Sequence, residues 1–98
     1  MNYVLVFRPE VRDELDEAYN WYESQQSGLG DDFLDCVDDK LNQICLLPEA
    51  YAVVHRDVRR SLVRRFPYAV YYFFVSSRVI VIAIFHAQRD TQAWQSRT

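Results

Sequence analysis

Apolar residues recur along this 98-residue chain at two different spacings. In residues 9–25 and 31–47 they are three and four positions apart, which is the period of an amphipathic helix. Residues 2–7, 68–75 and 78–86 are instead rich in β-branched and aromatic residues, which is typical of strands. The pattern predicts a short first strand, two helices and then a sheet of longer strands.

The two predicted helices have clear ends in the sequence. Pro9 fits the first turn of a helix, where its missing N–H costs nothing, and Pro48 stops the second helix. The segment SGLG at 27–30 interrupts the pattern, and Asp31 and Asp32 then favour the N-terminal dipole of a new helix. The apolar stripes are Val11, Leu15, Ala18 and Tyr22 on the first helix and Phe33, Val37, Leu41 and Ile44 on the second. The short connection predicts an antiparallel helical hairpin.

After Pro48 the apolar period changes to that of strands. Residues 52–55 fit either a short strand or an extended loop, and residues 59–66 predict a strand with mixed faces. Residues 78–86 are almost fully apolar, as a central strand should be. We therefore predict one α+β domain over residues 1–98, in the order β-α-α-β-β-β. Its helical hairpin packs on one face of a mainly antiparallel four-stranded sheet.

The stretch 68–85 is long and apolar enough to be mistaken for a membrane span. Arg78 lies near its middle and would be costly in hydrocarbon. The residues SSR at 76–78 fit the turn of a β-hairpin between two runs of strand-forming residues. We therefore expect a hairpin and no contact with a membrane.

Two further features indicate a cytoplasmic protein. The first ten residues lack the basic region and cleavage site of a secretory signal. Cys36 and Cys45 lie nine positions apart on one predicted helix, so they cannot form a disulfide without breaking it. We expect both to be reduced thiols, as in a cytosolic protein.

Charge is divided unevenly between the two halves of the chain. Residues 10–49 carry a net charge of −10, whereas residues 50–98 carry +6, and the whole chain carries −3. The acidic residues belong mostly to the polar faces of the predicted helices. We expect the arginines to lie on the opposite face of the sheet and on its rim, where they form a basic, concave surface.

Four arginines lie within seven residues just before an aromatic strand: Arg59, Arg60, Arg64 and Arg65. Arginine forms paired hydrogen bonds with phosphates and carboxylates, so this cluster predicts a binding surface for an acidic partner. A solvated sheet face is the simpler alternative.

Two other side chains are candidates for chemistry or stacking. His86 ends the apolar strand and could act as a general acid or base, although strand-end histidines more often make a hydrogen bond at the sheet edge. Trp94 could stack on a nucleotide base, or it could anchor the C-terminal tail of the protein.

The sequence gives no indication of a cofactor or a metal. The chain has only two glycines and no glycine-rich phosphate loop. No pair of cysteine and histidine residues has the spacing of a zinc site. Lys40, the single lysine, lies on the acidic second helix, so a lysine-based catalytic site is excluded.

Three segments resemble the RelE/ParE family of bacterial toxins from type II toxin–antitoxin systems. They are WYESQQSGLGDDFLD, RRFPYAVYYFFVSSRVIVIAIFHAQRD and the late Trp94, and the likeness covers nearly the whole length. The resemblance implies a compact toxin that a small cognate antitoxin, encoded beside it, neutralises in a toxin–antitoxin hetero-oligomer. It also implies one of two targets, which are DNA gyrase and the messenger RNA in the ribosome.

The chain departs from the ribonuclease branch of the family at two positions. Ribonuclease members typically have an arginine after the tyrosine that begins this strand, whereas here Tyr68 is followed by Ala69. They usually also have a basic residue just after the next strand, whereas here Ala87 follows His86. These departures favour the ParE-like branch.

Two classes of function follow from the resemblance. A gyrase inhibitor needs only a rigid surface, which we expect to include the four arginines of the cluster, Arg89 and Trp94. A ribonuclease needs a base and a stabiliser of the phosphorane. Its only candidate base is His86, with Arg64 or Arg89 as stabiliser. We favour the non-enzymatic inhibitor.

Overall fold

The computed structural model describes residues 3–88 and Gln95. The helices are α1 (Pro9–Gln25) and α2 (Leu29–Leu46), and a 3₁₀ turn follows at Pro48–Ala50. The strands are β1 (Val4–Phe7), β2 (Val53–His55), β3 (Val58–Leu62), β4 (Tyr68–Val75) and β5 (Arg78–His86).

The strands form one sheet in the order β1-β5-β4-β3-β2. The β1 strand runs parallel to β5, and the other neighbours are antiparallel. The predicted α+β fold with a helical hairpin on a mainly antiparallel sheet is confirmed. The sheet has five strands instead of four because Val53–His55, which the sequence left open as strand or loop, pairs with β3.

The predicted strand over residues 59–66 is wrong at its C-terminal end. The β3 strand stops at Leu62, and Arg65 has a left-handed backbone with a φ of 75°. The N–H of Val63 donates to the carbonyl of Tyr68, and the N–H of Tyr68 donates to the carbonyl of Phe66. Residues 64–67 therefore form a turn between β3 and β4, and this turn carries two of the four clustered arginines.

The predicted apolar stripes of both helices pack on one face of the sheet. Val11, Phe33 and Ile44 are at most 1% exposed, and they meet Val70 and Tyr72 from β4. Burial of large apolar side chains of this kind is the main stabilising contribution in a domain of this size.

A second apolar cluster lies on the sheet face opposite the helices, and it contains Val58, Ala69, Tyr71, Ile82 and Ala83. The register between β4 and β5 shifts by one residue, because Tyr71 faces Ala83 whereas Tyr72 faces Val81. Ile82 is thus an extra residue on β5, and this bulge turns both Ile82 and Ala83 toward the second cluster.

The connection between the helices is stabilised by Glu23. Its carboxylate accepts hydrogen bonds from the backbone N–H groups of Gly28 and Gly30, each at 2.9 Å. Gly28 has a φ of 89°, which is unfavourable for residues with a side chain. A Cβ atom on Gly30 would lie 2.8 Å from the ring of Tyr19. The two glycines therefore permit the tight turn and the close approach of α1 to α2.

No helix in the described part of the chain is long and apolar enough to span a membrane.

Candidate functional surfaces

Arg59 is held by the backbone beside the 3₁₀ turn. Its Nη1 donates to the carbonyl oxygens of Glu49 at 2.9 Å and Tyr51 at 2.6 Å, and the guanidinium lies over the ring of Phe74. Arg59 is paired with Tyr72 in the sheet, so its side chain is on the helix side. The geometry gives Arg59 a structural role, because its donors already join the sheet to the segment after α2.

Arg60 lies on the opposite face of the sheet. Its guanidinium lies over the ring of Tyr71, and its Nη2 donates to the carbonyl of Ala87 at 3.4 Å. Its Nε is buried and has no hydrogen-bond partner in the described part of the chain. Arg60 therefore packs over the second cluster and is only half-exposed.

Arg64 and Arg65 extend from the turn at residues 64–67 toward α2. Arg64 pairs with Asp39 at 3.8 Å and Arg65 with Asp32 at 3.9 Å. Both pairs are largely exposed to solvent, so they are weak and easily exchanged for contacts with a partner. Arg64 and Arg65 are the members of the cluster that remain available at the surface.

The four arginines therefore do not form the single basic face that the sequence predicted. Only Arg60 lies on the face opposite the helices, Arg59 is bound to backbone carbonyls, and Arg64 with Arg65 faces the acidic surface of α2. Alternation along β3 places Arg59 and Arg60 on opposite faces of the sheet, and the turn at residues 64–67 directs Arg64 and Arg65 toward α2.

His86 ends β5 on the helix side of the sheet. Its ring packs edge-on against the ring of Tyr68, with 5.5 Å between the centroids. Its Nδ1 accepts a hydrogen bond from the backbone N–H of Gln88 at 3.2 Å. The neutral ring consequently carries its proton on Nε2. This hydrogen bond joins the ring to the segment that follows β5.

A cleft of about 560 Å³ opens where α1 meets the ends of β4 and β5. It is lined by Glu17, Asn20, Trp21, Tyr22, Pro67, Tyr68 and His86. The rings of Trp21 and Tyr22 meet edge-on at 5.0 Å, and those of Tyr22 and Tyr68 at 6.1 Å. Together with His86 they form a row of four rings, which we call the aromatic cleft.

The sequence reasoning missed Trp21, which is 57% exposed. A signal was present, because Glu17, Asn20 and Trp21 have the i, i+3, i+4 spacing of one helix face. That face lies beside the apolar stripe and not within it. An aromatic residue on such a face is a better candidate for binding than a residue of the stripe.

Other aromatic candidates for stacking are not accessible. Tyr71 and Tyr72 are at most 1% exposed, and the hydroxyl of Tyr72 donates to the carbonyl of Pro48 at 2.5 Å. Burial raises the pKa of Tyr72 and that of Tyr22, and the nearby Tyr68 raises the pKa of Tyr22 further. Arg89 and Trp94 lie outside the described residues.

No group of three or more histidine, cysteine, aspartate or glutamate side chains within the described ranges has the arrangement of a metal site.

The sequence matches the family model for the ParE toxin of the type II toxin–antitoxin system parDE, over residues 5–91. The match spans most of the chain and includes every helix and strand except the first residue of β1. The protein therefore belongs to the ParE toxin family. Membership implies an antitoxin as its partner.

Two solved structures are similar in fold. A chain of the chromosomal ParDE toxin–antitoxin system from P. aeruginosa has a TM-score of 0.66 and 16% sequence identity, with 88% of this chain and 97% of that chain covered. A mutant of the E. coli toxin RelE in the free state has a TM-score of 0.68 and 22% identity, with 90% and 86% covered. No curated protein sequence matches the chain significantly.

Proposed function

We propose that this ParE-family toxin inhibits growth by binding DNA gyrase through a rigid surface, without acid–base chemistry. The observation that supports it most directly is that Arg64, one of the two candidate cations of a ribonuclease site, is turned toward Asp39 on α2. A cognate antitoxin neutralises the toxin by forming a hetero-oligomer with it in the cytoplasm.

Cleavage of RNA by its own 2′-hydroxyl needs a general base next to a cation that stabilises the phosphorane. His86 is the only candidate base, and its ring contacts the ring of Tyr68 and the backbone N–H of Gln88. Arg64 is turned toward Asp39 on α2. Arg60 lies on the other side of the sheet, over Tyr71.

The residue at position 69 also supports a function without RNA cleavage. The resemblance places an arginine here in ribonuclease members, but this chain has Ala69, which is fully buried in the second cluster. Position 69 therefore supplies no charge to a phosphate, and the cluster around it is apolar. A binding surface, by contrast, needs shape and anchoring side chains and no titrating group.

The second candidate is a ribosome-dependent endoribonuclease of the RelE type. One observation favours it, which is that His86 lines the aromatic cleft and can be approached by a ligand. In this function His86 would accept the proton from the ribose, with Arg89 as the remaining candidate for the cation.

The two candidates are separated by testing His86→Ala beside His55→Ala, which removes the only other histidine of the chain. We expect both variants to inhibit growth like the unchanged toxin and to reduce supercoiling by purified gyrase equally. Replacing Arg64 or Arg89 by alanine should abolish inhibition while the circular dichroism spectrum stays the same.

Transcripts mapped from cells that express the toxin should show no codon-linked cuts. Ribosome-dependent cleavage that is lost in His86→Ala and kept in His55→Ala would overturn the gyrase proposal and establish the ribonuclease.

A further inference from the structure

The aromatic cleft combines ring faces with a negative charge. Trp21 is exposed at its rim, Tyr22 lies at its floor, and Tyr68 and His86 form the wall contributed by the sheet. Glu17 lies one helical turn before Trp21 on the same face of α1 and also lines the cleft. Aromatic rings beside a carboxylate are the surroundings that proteins use to bind an organic cation.

The acidic side of α1 beside the cleft disfavours an anionic ligand. Glu10 and Asp13 are exposed on α1 and precede Glu17 by seven and four positions, so all three acids lie along one side of the helix. Among the described residues, the cation nearest in sequence to the cleft is Arg65, two residues before Pro67, and its guanidinium faces Asp32 and the ring of Phe66. A phosphate or a nucleic acid would meet this acidic side of α1, whereas a basic side chain would be attracted.

We propose that the aromatic cleft is the binding pocket for one basic side chain, an arginine or lysine, presented by the antitoxin. The planar guanidinium or the ammonium group lies over Trp21 and Tyr68, and Glu17 pairs with its charge. The volume of about 560 Å³ accommodates one long side chain together with its neighbouring residues. The inference needs the antitoxin that family membership implies, and it does not depend on gyrase being the target.

The position of the cleft fits a partner segment that carries both signs of charge. Pro67 lines the cleft and belongs to the same turn as Arg64 and Arg65. A segment that places a basic side chain in the cleft can continue along this turn, where its acidic residues would replace Asp32 and Asp39 as partners of the two arginines. This gives the segment a fixed direction on the toxin surface.

The test compares two toxin variants with a matched control in binding to the antitoxin encoded beside the toxin gene. Glu17→Gln keeps the shape of the side chain and removes its charge, and Trp21→Ala removes the exposed ring. Asp16→Asn is the control, because Asp16 is the exposed neighbour of Glu17 and does not line the cleft. We expect each cleft variant to raise the dissociation constant roughly tenfold and the control to leave it within about twofold.

The charge of the ligand is tested on the antitoxin side. Each arginine and lysine of the antitoxin is changed to glutamine in turn, and each variant is measured against unchanged toxin and against Glu17→Gln. The antitoxin variant at one position should bind the unchanged toxin about tenfold more weakly than the unchanged antitoxin does. The same change should weaken binding to the Glu17→Gln toxin much less, because the basic side chain and Glu17 form one interacting pair.

Three results would overturn the inference. The first is an antitoxin affinity that neither Glu17→Gln nor Trp21→Ala changes. The second is a loss of affinity to which no basic residue of the antitoxin is coupled, which would mean that another kind of side chain fills the cleft. The third is normal antitoxin binding with weakened gyrase inhibition, which would assign the cleft to the target.

Discussion

The carboxylate of Glu14 accepts a hydrogen bond from the backbone N–H of Ile84 at 3.0 Å. The β1 strand pairs with β5 only as far as Val81, so the N–H of Ile84 lies beyond the last residue that β1 can reach. A side chain of α1 thus supplies the acceptor that the sheet lacks, and it fixes the helix against the strand that ends in His86. This bond links the fold to the geometry of the aromatic cleft.

Replacing Glu14 by alanine should destabilise the domain by about 1–3 kcal/mol, because the half-buried N–H of Ile84 loses its acceptor. Glu14→Gln retains an acceptor oxygen and should cost less. Urea unfolding of both variants measures the difference, with Asp16→Ala as a control on the exposed face of the same helix. Equal losses for Glu14→Ala and Asp16→Ala would contradict the structural role of Glu14.

Tyr72→Phe removes the hydroxyl that donates to Pro48 and leaves the ring in place. We expect a loss of about 1–2 kcal/mol, since the carbonyl of Pro48 then remains buried without this donor. Tyr3→Phe, at a half-buried tyrosine that packs against Phe74, is the matched control and should be nearly neutral. Chemical denaturation gives the free energy of unfolding of both variants. A larger loss for Tyr72→Phe than for Tyr3→Phe would show that the hydroxyl of Tyr72 stabilises the fold.

The same substitution should change how stability depends on pH. Burial raises the pKa of Tyr72 above its ordinary value of 10.0, while Arg59 acts in the opposite direction. The contribution of the neutral phenol is complete below the pKa of the unfolded chain and is lost as pH rises toward the folded value. Above about pH 10, the unchanged protein should therefore lose more stability than Tyr72→Phe. Parallel losses in the two proteins would contradict this assignment.

Gly30→Ala should loosen the connection between the helices. The new Cβ would meet the ring of Tyr19 at 2.8 Å and the carboxylate of Glu23 at 2.9 Å, so at least one of them must move. We expect a loss of about 1–3 kcal/mol from overpacking, although alanine is otherwise the better helix former. Thermal unfolding of Gly30→Ala beside Tyr19→Ala and the double variant provides the check. A double variant as stable as Tyr19→Ala alone would show that the clash with Tyr19 is the cause.

Reversing the charges of Arg64 and Arg65 together should weaken antitoxin binding without destabilising the toxin. Their guanidinium groups are exposed and form long ion pairs with α2, so an acidic partner can replace Asp39 and Asp32. The control is Arg78→Glu, at an exposed arginine where β5 begins. Titrations at low and high salt should show a smaller salt dependence for the double variant than for the control. An unchanged affinity would mean that these two arginines are solvated surface only.

The order and type of the main elements followed from the sequence alone. The helical stripes from Val11 to Tyr22 and from Phe33 to Ile44 depend on local periodicity, and their predicted residues are buried except Leu15, which is half-buried. The strands that begin at Tyr68 and Arg78 are runs of β-branched and aromatic residues, and they were recognised for the same reason. The family resemblance was likewise carried by contiguous segments.

Tertiary structure decided which functional candidates lie together. The turn that follows Leu62, with its left-handed backbone at Arg65, takes Arg64 and Arg65 off the strand that carries Arg59 and Arg60. Alternation along a strand could not reveal this turn. Trp21 and His86 are 65 positions apart in the chain, and only the packing of α1 against β5 brings them into one cleft. Periodicity is a local property that reports which side of an element is apolar. A site formed between a helix face and the end of a strand depends on how those elements pack, so it emerged only in the folded chain.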